Sequence, residues 1–256
     1  MLQYRPSGEY PQELHFFTDI SKEEKPMLNK KYIIILAIML LAITGLWAGD
    51  TATFVDLGFS SDGRTFMFAQ YGVQSSTLRP WADLSIVDVP SNDFVSGGRV
   101  SYVNDAPVVA GQDGSGALYR LIANNASLAE RYKINYCFQG QPLYISMNST
   151  SSLETLEFRD FESGASYKAN LVSFVEGFGP GLKSSFYINL EQTARDGSKK
   201  VYTVGTPQHQ RPLIASYRIR KVMIAPQDGS MIMVIEMRRQ DGADFDIRYM
   251  VEAVRL

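Results

Sequence analysis

Chemistry in a protein needs particular side chains at particular spacings, and three short stretches offer candidates. In QDGADFD, Asp241, Asp244 and Asp246 sit close together. Oxygen-rich loops of this kind bind calcium, which takes about six to eight oxygen ligands. The spacing and distal glutamate of an EF-hand are missing, and a solvated hairpin turn is the competing reading. In EGFGPGLKSS, Gly177, Gly179 and Gly181 lead into Lys183. Backbone N–H groups of such a loop can cradle an anion, with the lysine assisting. A dinucleotide fingerprint would need a helix directly after the glycines. LKSSFYINLEQ reads instead as a strand, which leaves a wide turn or an anion nest. In YGVQSSTLRPWADL, Arg79 and Trp81 would suit a recognition surface if exposed. Trp81 equally fits the start of a strand, buried in the core.

The remaining chemistry is scarce. Beyond residue 48 the only histidine is His209, in GTPQHQRP, read as an exposed loop residue between prolines, and the only cysteine is Cys137. A zinc site built from such ligands needs three or four of them. A Ser-His-Asp triad would have to use His209, and no Gly-x-Ser-x-Gly elbow supplies its nucleophile. Ser-x-x-Lys and Walker-type motifs are also absent. Cys137 has no partner for an internal disulfide and is expected to lie as a small apolar residue inside a strand. Glu157, Asp160 and Glu162 alternate with Phe158 and Phe161 and read as outward-facing charges. The reading is therefore of no catalytic residues and no cofactor, with calcium as the one alternative.

The elements that would position these residues are mostly strands. TFVDLGF, RTFMFAQYG, WADLSIVDV, SYKANLVSF and SSFYINLEQ alternate apolar and polar residues at period two, the mark of half-buried strands. MIMVIEM, Met231 to Met237, is apolar on both faces and reads as a central strand. Asp-Gly pairs at 62–63, 113–114, 196–197, 228–229 and 241–242 favour tight hairpin turns. One segment departs from this: Leu118, Leu121, Ile122 and Leu128 have helical spacing, predicting a single amphipathic helix from about Ser115 to Tyr132. VDLGFSSDGRTFMFAQ and IRKVMIAPQDGSMIMVIE form a weak repeat of strand, Asp-Gly turn and strand. It places Phe59, Phe66 and Phe68 opposite Ile224, Ile232 and Val234. Each copy runs on to a third strand, like a propeller blade. The fold class is mainly β with one internal helix: antiparallel hairpins with two propeller-blade-like units, in a small or partial β-propeller or a β-sandwich.

Lys30 and Lys31 precede an apolar run from Tyr32 to Leu41 that continues to Leu46. This is the charge and hydropathy pattern of a secretory leader. Residues 1–26 are polar, lack a hydrophobic period and read as an upstream extension, with Met27 as the start. Residues 27–48 are a signal peptide cleaved after Ala48, or an uncleaved anchor touching the membrane through residues 32–48. Either way the lysines keep the N-terminal side in the cytoplasm, so residues 49–256 are an exported domain. Its destination is the periplasm or the medium, or the outer face of the inner membrane if anchored. Residues 1–48 carry five basic and five acidic side chains, so residues 49–256 keep the chain's net charge of −2. With no basic cluster, nucleic acid is excluded as a partner.

FVDLGFSSDGRTFMFAQYGVQ, then ADLSIVDV, the internal helix and the late KVMIAPQDGSMIMVIEM, together resemble a family of bacterial predicted secreted proteins of unknown function. The resemblance, running from about Gly49 to the C-terminus, implies an exported bacterial protein and carries no activity or site residues. Two functions are open. One is a non-enzymatic envelope module that presents loops from a rigid β framework to a protein partner. The other is an exported hydrolase using carboxylates or calcium. A deep pocket of converging carboxylates would favour the second.

Overall fold

The computed structural model describes residues 49–147, 155–242 and 244–256. The extension at 1–26 and the leader or anchor at 27–48 lie outside the described residues. Among those described, no helix is long and apolar enough to cross a membrane.

The period-two runs become strands where expected. In chain order, β1 (Thr53–Ser60), β2 (Thr65–Val73), β3 (Pro80–Asp88) and β4 (Asp93–Val103) form a meander. Helices α1 (Ser115–Asn124) and α2 (Ala126–Arg131) follow, then the short β5 (Ile134–Asn135) and β6 (Gln141–Ile145). Next come β7 (Thr155–Arg159), β8 (Ser166–Glu176), β9 (Lys183–Thr193), β10 (Lys199–Val204) and the two-residue β11 (Arg211–Pro212). The chain ends with β12 (Ile214–Ile224), β13 (Met231–Asp241) and β14 (Asp244–Val254).

All the ladders are antiparallel and make three sheets, ordered β4-β3-β2-β1-β5, β10-β9-β8-β7 and β14-β13-β12-β6. The third is the central sheet. On β13, Met231, Met233 and Ile235 enter a core shared with the β7–β10 sheet, whereas Ile232 and Val234 enter a core shared with the β1–β5 sheet. This is the two-faced central strand the sequence predicts, because alternate side chains of a strand point to opposite faces. The β1–β5 sheet is also covered twice. Phe59, Phe66 and Phe68 face the central sheet, while Met67, Ala69, Leu84 and Ile86 pack on Leu118 and Leu121 of α1. The result is four layers, helix on sheet on sheet on sheet.

The two repeat copies lie in facing sheets. Five of their six matched residues, Phe59, Phe66, Phe68, Ile232 and Val234, meet in one core, and Ile224 turns to the other face. The described residues form no closed barrel or propeller.

The structure corrects three expectations. The helix is two helices, broken at Asn125, whose backbone (φ −119°, ψ 23°) is not helical. Its side-chain amide donates to the Leu121 carbonyl at 2.8 Å, the local competition that makes Asn a helix breaker. Cys137 lies exposed in a turn, not in a strand, because the Asn135 side chain accepts its N–H at 3.0 Å and bends the chain. Asp160 is buried and Phe161 is 86% exposed. The Asp160 carboxylate closes a turn, accepting from the Glu162 N–H at 2.9 Å and the Ser163 hydroxyl at 2.6 Å, and this turn ends the alternation. Four of the five Asp-Gly pairs do turn hairpins; Asp113-Gly114 instead opens α1. His209 is exposed, as expected.

A sheet edge left open is a template for unwanted pairing, and β14 is the edge of the central sheet. Three of its outward N–H groups are capped by residues in or next to the neighbouring sheet. Ile247 donates to the Asp50 carbonyl at 2.8 Å, Tyr249 to the Gln70 side chain at 2.8 Å and Ala253 to the Asn92 side chain at 2.6 Å.

Candidate functional site

The residues selected from sequence come from three hairpin ends, and the fold brings those ends together. Leu182, at the base of the β8–β9 turn, accepts the Leu213 N–H at 2.7 Å, and Leu213 in turn accepts the Gln240 N–H at 2.7 Å. Gln240 adjoins Asp241 in the β13–β14 turn. On β14, Asp246 accepts the Asp50 N–H at 2.9 Å, and Asp50 accepts the Trp81 indole N–H at 2.6 Å. Hydrogen bonds thus run from the glycine turn through the aspartate turn to the β2–β3 connection.

Asp50 organises the centre of this region. Its Oδ2 also receives Arg248 at 2.9 Å, and the same guanidinium reaches Asp246 at 3.3 Å and lies 4.3 Å over the Trp81 ring. One cation therefore bridges two carboxylates while stacking on the indole. Glycines make the room. A Cβ on Gly72 would come within 2.8 Å of Asp50 Oδ1 and 3.1 Å of the Trp81 ring, and one on Gly49 within 2.0 Å of the Phe245 carbonyl oxygen. Asp50 is 5% exposed and its Oδ1 has no hydrogen-bond partner among the described residues. Burial pushes its carboxyl above the ordinary range, opposed by Arg248 and the Trp81 N–H and reinforced by Asp246.

Asp50, Asp246 and Arg248 form one wall of a cleft of about 240 Å³ that Asp241, Arg239 and the Gln74–Ser76 loop complete. Two of the three proposed calcium ligands, Asp241 and Asp246, therefore share a cleft. Asp244 faces Asp241 across the end of the ladder. Asp246 is committed to the Asp50 N–H and Arg248, and among the described residues no three His, Cys, Asp or Glu side chains are arranged to hold a metal ion.

Arg79 and Trp81 do not act together. Trp81 is a core residue, whereas the half-buried Arg79 reaches the Asp105 carbonyl at 3.1 Å and carboxylate at 3.4 Å. In the glycine turn, Gly177 has φ 75° and Gly179 φ 55°. A Cβ on Gly177 would meet the Gly181 carbonyl oxygen at 2.5 Å, so the chain returns here through a wide turn. Lys183 pairs with Glu176 at 3.2 Å, on the surface. The turn lifts Phe178 to 89% exposure, and at the end of β8 Phe174 and Val175, on opposite faces of the strand, are about half exposed, at 49% and 47%.

Three further carboxylates are paired with cations. Glu252 accepts from Asn92 at 2.6 Å and faces Arg211 at 3.6 Å, linking all three sheets. Burial raises its pKa, against the pull of Asn92, Arg211 and His209. Glu236 is held by Arg218 and Arg220, and Asp56 by Lys221 at 3.1 Å.

Sequence reading passes over Asp50, Gln70, Asn92 and Arg248. Their partners stand far away in the chain, 198 residues for Asp50 and Arg248. One signal existed: a buried Trp needs an acceptor for its N–H. It announces a partner without identifying one.

No curated protein and no solved structure matches the chain. Residues 67–255 match the family described as Predicted secreted protein (DUF2259). The match begins inside the Phe54–Gln74 motif and takes in the helices, all of the central sheet and the β7–β10 sheet. The chain belongs to this family of predicted secreted proteins of unknown function.

Proposed function

We propose that this is a non-enzymatic binding module of the bacterial envelope, which docks a protein partner through the loops gathered around the Asp50 cleft. The observation that carries this reading is the contrast between buried charge and exposed aromatic surface at one place. The buried carboxylates of the cleft, Asp50 and Asp246, are held by Arg248, the Trp81 indole and a backbone N–H, so they serve as struts. The adjoining β8–β9 turn projects Phe178 into solvent. An aromatic anchor on a rigid hairpin is what protein interfaces use at their centres, and solitary exposure on that scale gives no stability in return. The stacked sheets, including both blade-like units, provide the framework. The domain works outside the cytoplasm, in the periplasm.

The test is a photoreactive residue placed at Phe178 or Ser76 in intact cells, with Asp62, in the β1–β2 turn, as the control. One recurrent envelope protein captured from 178 and 76 but not from 62 is expected. Equal capture from all three positions rejects the reading. The hydrolase alternative draws on the carboxylates of the same cleft. It requires Asp50 or Asp246 to exchange a proton with substrate, and both are engaged by Arg248.

A further inference from the structure

A second cleft flanks the other side of the β2–β3 connection, and it uses none of the residues discussed above as the Asp50 centre. Its volume is about 520 Å³, within the range of small-molecule sites, about 300–1,000 Å³. Tyr102 and Asn104 at the end of β4 form one wall, the Val108–Gly114 segment a second, and the first turns of α1, with Arg120, a third. Two hydrogen bonds position these walls: Asn104 donates its N–H to the Pro80 carbonyl at 2.9 Å and Val108 to the Leu78 carbonyl at 2.8 Å. Where a side chain would begin on Gly111 or Gly116 there is nothing within 4 Å, so backbone borders open space on two walls.

The polar groups of this cleft differ in how far they are already engaged. The Asp113 carboxylate accepts the Ser115 N–H at 3.0 Å. The Tyr102 hydroxyl donates to Asn104 at 2.9 Å, and the Asn104 amide donates to the Ala106 carbonyl at 3.0 Å. The Gln112 side-chain oxygen accepts the Val109 N–H at 3.1 Å, which leaves its NH₂ free. Arg120 stands apart: its guanidinium lies 5.5 Å over the Tyr102 ring and makes no hydrogen bond or ion pair among the described residues. Stacking orients the guanidinium plane without using its N–H donors. The cleft therefore offers a fork of unused donors, with a free amide N–H on another wall. A planar carboxylate matches such a fork in a bidentate way.

We propose that this cleft binds a small carboxylate-bearing molecule, with Arg120 receiving the carboxylate and Gln112 donating a hydrogen bond to the same ligand. Sugar acids and the C-terminal carboxylates of short peptides share that chemistry, and both fit the volume. The site stands independently of the docking reading.

Calorimetric titration of the full chain tests it with matched probes: galacturonate against galactose, and alanyl-alanine against its C-terminal amide. Binding of at least one acid tighter than about 1 mM, with its neutral counterpart at least about tenfold weaker, is expected, and the acid that binds identifies the source. Arg120→Ala should weaken that acid about tenfold or more, and Arg120→Lys less, because lysine keeps the charge and loses the fork. Arg120 is exposed, so both variants should keep the circular dichroism and Tm of the parent. Three results overturn the proposal: neither acid binding at that level, neutral counterparts binding equally, or Arg120→Ala binding the acid unchanged. None of these results bears on capture of a partner from Phe178.

Discussion

Two hairpins of equal length anchor the fold and end in opposite ways. β8–β9 and β13–β14 each run through eleven residue pairs without a register shift. The far end of β13–β14 is tied down: Asp246 and Arg248 are locked to Asp50 and Trp81, and the free edge of β14 is capped by Asp50, Gln70 and Asn92. The far end of β8–β9 is held only at its base, where Leu182 accepts the Leu213 N–H and β11 pairs with β9; beyond that its tip has the exposed Lys183–Glu176 pair, worth at most about 1 kcal/mol, and holds Phe178 out in water. Ladders of equal length thus end in different surroundings. One end is fastened by its neighbours, whereas the tip of the other stands exposed.

Asp50→Ala should break the comparison most severely. It leaves the Trp81 N–H and part of Arg248 buried without their acceptor, and removing one partner of a buried pair costs about 3–5 kcal/mol. Urea unfolding followed by Trp81 fluorescence measures it, and a loss below about 1 kcal/mol would mean the pinned end is no more constrained than the free one. Gly72→Ala comes next. Its new methyl group meets Asp50 Oδ1 and the indole, both buried, so overpacking of about 1–3 kcal/mol is expected from the same unfolding curves.

The pH dependence sharpens the point. The folded-state pKa of Asp50 is raised, so the native state holds its proton more tightly than the unfolded chain does. The linkage slope is then negative. The stability from Asp50 is present below the unfolded carboxylate range and is lost as pH rises through the elevated folded value. Asparagine cannot titrate, so the stability of the parent relative to Asp50→Asn should fall across that window. A difference that rises or stays flat in unfolding curves at successive pH values would contradict the assignment.

Phe178→Ser is the smallest expected effect. At the free end it should change stability by less than about 0.5 kcal/mol while abolishing capture of the partner from Ser76. A large loss of stability would show that Phe178 packs against something in the folded chain.

The amino-acid sequence by itself determined the local architecture of this protein. Period-two alternation set the strands, and the run Met231–Met237, apolar at both parities, announced a strand covered on two sides. Asp-Gly pairs set four hairpin turns. These features are legible because they depend on a residue and its near neighbours. The same logic failed where one side chain redirected the backbone, at Asn125, Asn135 and Asp160. Only the tertiary structure decided how the sheets stack, that the two blade-like repeats face one another instead of following in a ring, and which candidate residues work together. Trp81 and Arg79, two positions apart, were separated by the inward and outward turn of the chain. Asp50 and Arg248, 198 positions apart, were joined. The physical reason is that a buried charge is tolerated only beside its counter-charge, and that proximity is created by the packing of layers, which no local pattern encodes.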